Sequence, residues 1–225
     1  MEHIRTAHTA VSDSTEVSRV LRNTYMLLSM TLAFSALTAG IAMAVNMPHG
    51  AGLIMSLVAI GLVWFVLPRT ANSSAGLVVV FAFTGLIGAS LGPMLNYYLA
   101  TANGTSIVLQ ALGGTAFTFL GLSGYTLMSR KDFSFLRGFV VMGVMVMLGG
   151  MLLLMGAALF GYQVEMLSLA FSAGVIVLMS AIILYQTSAI IHGGERNYIM
   201  ATTSLYLAII NIFTSLLHLL GASDD

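Results

Sequence analysis

The stretch YQTSAIIHGGERNYIMATTSLYLAIINIF, Tyr185 to Phe213, decides how this chain folds. Its middle, HGGERN, is polar and carries the paired glycines of a turn, whereas the segment after it is apolar enough to enter a bilayer. That second segment nevertheless carries polar side chains along one side. Ser204, Ala208, Asn211, Ser215 and His218 are spaced four, three, four and three, which places them on one helical face, with Leu205, Ile209, Ile212 and Leu216 on another. Polar groups inside a membrane are kept where they meet protein, so the stripe is expected to face the interior of a helical bundle.

Composition agrees over the whole chain. Of 225 residues, 58% are hydrophobic and only 7% charged, with mean hydropathy +0.97; a soluble domain carries about 25% charged residues. Formal net charge is zero, so the chain lacks the basic footprint that neutralises nucleic-acid phosphates. There are no cysteines, which excludes disulfides and thiolate chemistry.

A hydrocarbon core about 30 Å thick needs about 20 apolar residues in a helix. Seven segments qualify, near residues 23–45, 51–67, 75–99, 106–128, 137–159, 165–185 and 199–221. They lack the alternation of barrel strands, and lipid cannot satisfy open backbone groups, so helices are required. The expected fold is an all-α polytopic membrane protein, a seven-transmembrane-helix bundle spanning 23–225, preceded by a disordered N-terminal tail over 1–22. Polar, mixed in charge and poor in core-forming residues, the tail reads as disordered.

The basic residues orient the bundle. Arg5, Arg19 and Arg22 precede the first span, Arg69 follows the second, Arg130, Lys131 and Arg137 lie between the fourth and fifth, and Arg196 lies between the sixth and seventh. The alternate connections, NMPHG, TANGTS and FGYQVE, contain none, which puts the N-terminus in the cytoplasm and the C-terminus outside. Aromatic residues follow the same frame, with Trp64, Phe133, Tyr185 and Tyr198 near the inner boundary and Tyr97, Tyr98 and Tyr162 near the outer one. Glycines crowd the third, fourth and fifth spans, and Gly88 with Gly92 forms a small-xxx-small pair expected to pack helices tightly within the bundle. Pro93 is expected to bend the third span.

Chemistry-bearing constellations are missing from the pattern. The histidines, at 3, 8, 49, 192 and 218, show no metal-ligand spacing, and no acidic residue lies mid-span to pair with a base. The sequence therefore points to no catalytic residues, no cofactor and no metal, and to a protein that is not an enzyme.

Three segments carry a family resemblance. SRKDFSFL (129–136), LYQTSAIIHGG (184–194) and SLYLAIINIFTSLLHLLG (204–221) resemble the signature segments of the Bax inhibitor-1, or transmembrane Bax-inhibitor-motif, family, and VLRNTYMLLSMTLAFSA (20–36) and IIHGGERNYI (190–199) resemble its bacterial YccA branch. The resemblance implies a bundle whose seventh helix is central and wrapped by the other six. It also implies a comparison of sites. Leak-type members carry two aspartates, at the end of helix six and on helix seven, whose carboxylates share a proton and titrate near neutrality. Here Gln186 and Ala208 occupy those positions, so neither titrates. Arg69 stands where such members place a basic latch, with no carboxylate to hold. With Gln186 and Arg69, the stripe Ser204, Ala208, Asn211, Ser215 and His218 forms a candidate polar pathway or gate.

For function, the YccA branch implies an inner-membrane protein that interacts with the ATP-dependent membrane protease FtsH as modulator and as substrate, gripped by its cytoplasmic tail. The alternative implied by the wider family is a pH-sensitive leak for calcium or protons, with weak cation interaction. The lipid bilayer is the remaining expected partner.

The charge asymmetry makes a direct prediction. A reporter fused after Asp225 should read as periplasmic and one fused before Met1 as cytoplasmic; cytoplasmic signals from both ends would mean a re-entrant or miscounted span.

Overall fold

The computed structural model describes the backbone of residues 2–162 and 164–223, with side-chain surroundings from Thr15 onward. All regular elements among these residues are helical: α1 (Glu2–Ala44), α2 (His49–Gly61), a π-helical turn (Leu62–Val66), α3 (Leu67–Thr70), α4 (Ser74–Leu99), α5 (Gly104–Ser129), α6 (Leu136–Leu159), α7 (Glu165–Ile191) and α8 (Tyr198–Ala222). With α2, the π turn and α3 read as one continuous run, seven helices are long and apolar enough to cross a membrane. The protein is an all-α polytopic membrane protein, as its apolar periodicity predicts.

Helix ends follow local chemistry. Asn46 (φ 48°), Arg130 (φ 50°), Gly161 (φ 77°) and Gly193 (φ 72°) take the left-handed conformation just past α1, α5, α6 and α7. After α1 the Met47 and Asn46 amides donate back to the Ala42 and Met43 carbonyls, each at 3.0 Å, satisfying groups that a helix end leaves open. Asparagine and glycine accept this backbone readily; Arg130 is the unforeseen one. At the other end of a span, Glu165 opens α7, where its charge complements the helix dipole.

The second span contains a feature the sequence reading does not anticipate. Pro68 has no amide to donate to the Trp64 carbonyl, and the turn before it widens, so that the Leu67 amide donates to the Leu62 carbonyl five residues back. Side chains close the gap: the Arg69 guanidinium donates to the Phe65 carbonyl, and the Thr70 hydroxyl donates to the Val66 carbonyl at 3.0 Å. By contrast, α4 continues through Pro93 as far as Leu99.

The chain forms two compact units. One comprises Met1–Ala102 with Ile190–Tyr206, the other Asn103–Ala189 with Leu207–Asp225, so the two halves of α8 belong to different units. In the first unit α4 lies against α1 through glycine. A Cβ on Gly92 would sit 2.5 Å from that of Ala42, one on Gly85 would sit 2.7 Å from the Phe34 ring, and one on Gly88 would collide with the Ser35 carbonyl. Elsewhere in this unit Leu27, Leu67, Ala71, Val80 and Ile199 form a buried cluster. The tight-packing reading of Gly88 and Gly92 therefore matches their surroundings within this chain.

The second unit divides its glycines. Those at 143, 150 and 174 would press a Cβ onto Leu178, Phe171 and Met147, whereas Gly113, Gly121, Gly124, Gly149 and Gly156 face open space. For these five, packing within the chain does not explain the glycine, and α6 has no buried residue at all.

The expected tail, residues 1–22, meets this structure differently from its description as disordered. No Gly or Pro interrupts Glu2–Arg22, and α1 runs back through it without a break. From Thr15 on it also packs: Val20 is buried with Ile190 and Ala201. The helical body thus begins before residue 23.

The glycine contacts predict opposite responses to the same substitution. Gly88→Ala should lower the thermal midpoint in detergent by overpacking worth about 1–3 kcal/mol. Gly121→Ala, in open space, should leave it unchanged or raise it, since alanine favours a helix by about 1 kcal/mol over glycine.

Candidate functional site

Six of the seven residues singled out from the sequence lie on α7 and α8. Gln186, Ala208, Asn211, Ser215 and His218 belong to the second unit, and Ser204 and Arg69 to the first. Helix α7 runs six residues past Tyr185, so Gln186 is helical and the turn is confined to HGGERN. Gln186, Thr187 and Ser188 are consecutive, polar and buried.

Ser188 explains part of that burial. Its hydroxyl accepts the Phe133 amide at 2.9 Å and donates to the Lys131 carbonyl at 3.3 Å, so it stitches the α5–α6 connection to α7. Within that connection Asp132 accepts the Ser134 amide at 2.8 Å, and the Lys131 ammonium lies 5.7 Å from the centre of the Tyr125 ring. The Thr187 hydroxyl is fully buried and has no partner among the described residues.

Along α8 the stripe behaves unevenly. Ala208 is fully buried and Ser215 nearly so, whereas Ser204, Asn211 and His218 are half-buried. Leu205, Ile212 and Leu217, off the stripe, are completely buried. Burial surrounds much of the helix, and the polar stripe is not its most enclosed side. Asn211 turns its amide back to the Leu207 carbonyl of its own helix at 2.8 Å. His218 reaches across: its Nδ1 lies 2.8 Å from the Ser172 hydroxyl on α7. Such interhelical bonds are worth about 0.6–2 kcal/mol in a membrane.

In the first unit the binding of α8 rests on residues the sequence reading passed over. The Tyr206 hydroxyl, fully buried, meets the Ser35 hydroxyl at 2.7 Å and donates to the Thr84 carbonyl at 3.2 Å. Its ring packs edge-on against Phe83 with centroids 5.4 Å apart. One turn earlier, the Thr202 hydroxyl is placed between the Thr24 carbonyl at 3.2 Å and its own Tyr198 carbonyl at 2.7 Å. The spacing of Thr202 and Tyr206, four residues on one face, was the available signal.

Arg69 is exposed at the C-terminal end of the second span, and its guanidinium is engaged by the Phe65 carbonyl. That contact gives it a helix-capping role. At the same end of the first unit, Asn197 binds the α2–α4 connection, donating to the Ala71 carbonyl at 3.1 Å and to Asn72 Oδ1 at 2.8 Å, while its own Oδ1 accepts the Ile199 and Met200 amides and caps α8.

Spans and polar ties together define a seven-span helical membrane protein whose last helix holds polar contacts in both halves. The chain belongs to the Bax inhibitor family: the family model described as inhibitor of apoptosis-promoting Bax1 matches residues 17–225. The protein named modulator of FtsH protease YccA, from Escherichia coli K12, is 50% identical over 208 residues, covering 92% of each chain. A protein of Pseudomonas aeruginosa is 50% identical over 220 residues, covering 97% of this chain and 96% of its own. A membrane protein of Vibrio cholerae is 48% identical over 212 residues, covering 93% and 92%.

Burial at Ala208 yields a sharp expectation. Ala208→Asp places a larger, polar side chain at a fully enclosed position, so the thermal midpoint in detergent should fall by several degrees relative to wild type. An unchanged midpoint would show that position 208 is hydrated.

Proposed function

We propose that this chain is a regulatory protein of the bacterial inner membrane that interacts with the ATP-dependent protease FtsH, modulating its action on other membrane proteins and serving as its substrate through the N-terminal segment. The observation that carries this reading is the 50% identity, over 92% of both chains, to a relative named as the modulator of that protease. An Escherichia coli relative of equal identity is named an inner membrane protein, which supports the location. All eight Lys and Arg residues precede or connect spans on one side, which supports a cytoplasmic N-terminus and a periplasmic C-terminus.

A threading protease must grip a segment that yields before it pulls on a packed bundle. Residues 1–22 are the longest polar stretch of the sequence. Their helical continuation of α1 is compatible with this use, because a helix of about a dozen residues is marginal by itself in water. The inner connections between spans are short and tethered at both ends.

The leak reading of the family receives less support. Gln186 and Ala208 supply neither a charge for calcium nor a proton to exchange, and Arg69 is taken up by a backbone carbonyl. The modulator role needs no reaction at the chain's own residues, so the reading is of a non-catalytic protein.

Deleting Glu2–Ser14 tests the proposal. Arg19 and Arg22 remain to set orientation, so insertion should be unchanged, while degradation by the protease should slow several-fold. The retained protein should then occupy the protease and lengthen the half-lives of its other membrane substrates. Equal half-lives for full-length and shortened chains, with and without the protease, would count against the handle.

A further inference from the structure

The root of α1 lies on a ledge formed by the α7–α8 turn, and the contacts there are of two kinds. The ledge itself is fixed. Its Asn197 is bonded to Ala71 and Asn72 and caps α8, Glu195 Oε1 accepts the Asn197 amide at 2.8 Å, and the Gly193 amide donates to the Ile190 carbonyl at 3.2 Å. The root meets the ledge through an exposed ion pair and an apolar contact. Glu16 Oε2 lies 3.7 Å from Arg196 Nη1, with the two side chains 46% and 62% exposed. One turn on, Val20 is 7% exposed against Ile190 and Ala201, and Val17 lies over Gly193, 4.0 Å from where a Cβ would stand.

From these contacts we infer that the α7–α8 turn is a latch for the N-terminal segment: docking of Glu16, Val17 and Val20 on Gly193, Arg196 and Ile190 limits the length of chain a threading protease can seize. The inference rests on the handle reading above and adds its regulation. Undocking frees the segment from Thr15 to Arg22. An extended chain spans about 3.3–3.6 Å per residue, so the reach from the membrane surface grows from about 50 Å for 14 residues to about 75 Å for 22. Because the ion pair is exposed, it sets the docked population only modestly, and salt weakens it. Val20 supplies the buried contact, and the Glu16–Arg196 pair adjusts it.

The chain has no cysteine, so Val20→Cys is a clean reporter of docking by its rate of maleimide labelling in inverted membrane vesicles. In that background Glu16→Lys and Arg196→Glu should each raise the labelling rate about two- to fivefold, the effect of losing one exposed ion pair. The exchanged pair, Glu16→Lys with Arg196→Glu, should return it toward the starting rate. Degradation of the same full-length variants by the purified membrane protease should rise and recover in parallel.

Labelling that ignores the charge reversals, or reversals that the exchange does not rescue, would overturn the latch. So would labelling that responds while degradation does not, provided the Glu2–Ser14 deletion slows degradation in the same assay. If that deletion changes nothing, the handle reading has failed, and the regulatory role falls with it even where labelling responds.

Discussion

A lipid interior offers no hydrogen-bond partners, and every polar group carried into it must find one inside the protein. That constraint shapes this chain more than any apolar contact does. Several buried hydroxyls meet it locally: Thr31, Thr84, Thr115 and Thr203 each donate to a carbonyl one turn earlier in the same helix, whereas those of Thr24 and Thr187 donate to no partner among the described residues. A smaller set spends its bond between helices, and these ties locate α8. Tyr206 with Ser35 and Thr84, and Thr202 with Thr24, hold its first half, and His218 with Ser172 holds its second. An unpaired buried hydroxyl costs about 1–3 kcal/mol, so the two bonds of Tyr206 matter to the first unit. Glycine completes the arrangement by letting α4 approach α1 closely enough for Ser35 and Thr84 to share one phenol.

Much of this was legible in advance. The seven apolar runs, the turn at HGGERN and the packing of Gly88 follow from residue type and spacing, because length and composition alone decide which segments enter a bilayer. Facing direction was harder to read. Where core and lipid are equally apolar, a helix lacks the contrast that normally identifies its buried side. For that reason the glycines at 113, 121 and 124 could not be separated from those at 85, 88 and 92, and the stripe from Ser204 to His218 was expected to be the interior face when Leu205, Ile212 and Leu217 are buried more deeply. The π turn before Pro68 was missed for another reason: a proline announces a lost hydrogen bond without saying how the helix will absorb it.

The candidate site changes character once its residues are placed. Gln186 and Ala208 are neutral, and the polar groups beyond them bond within the chain, Ser188 to the α5–α6 connection, Asn211 to its own helix and His218 to α7. On the proposed reading, the helices so held form the body from which the N-terminal segment is presented to the protease. Proposed regulation of a membrane protease by such a body puts function on the side marked by the basic residues, where the α7–α8 turn and Arg69 lie.

The central claim is that the protein works through the protease. Affinity capture of the tagged chain from native membranes, at expression close to its natural level and with the protease followed by immunoblot, tests it most directly. The account predicts that the protease co-purifies and that the reconstituted chain alone passes no calcium or proton current. Absence of the protease from the captured material, together with a robust ion flux through the purified protein, would contradict it.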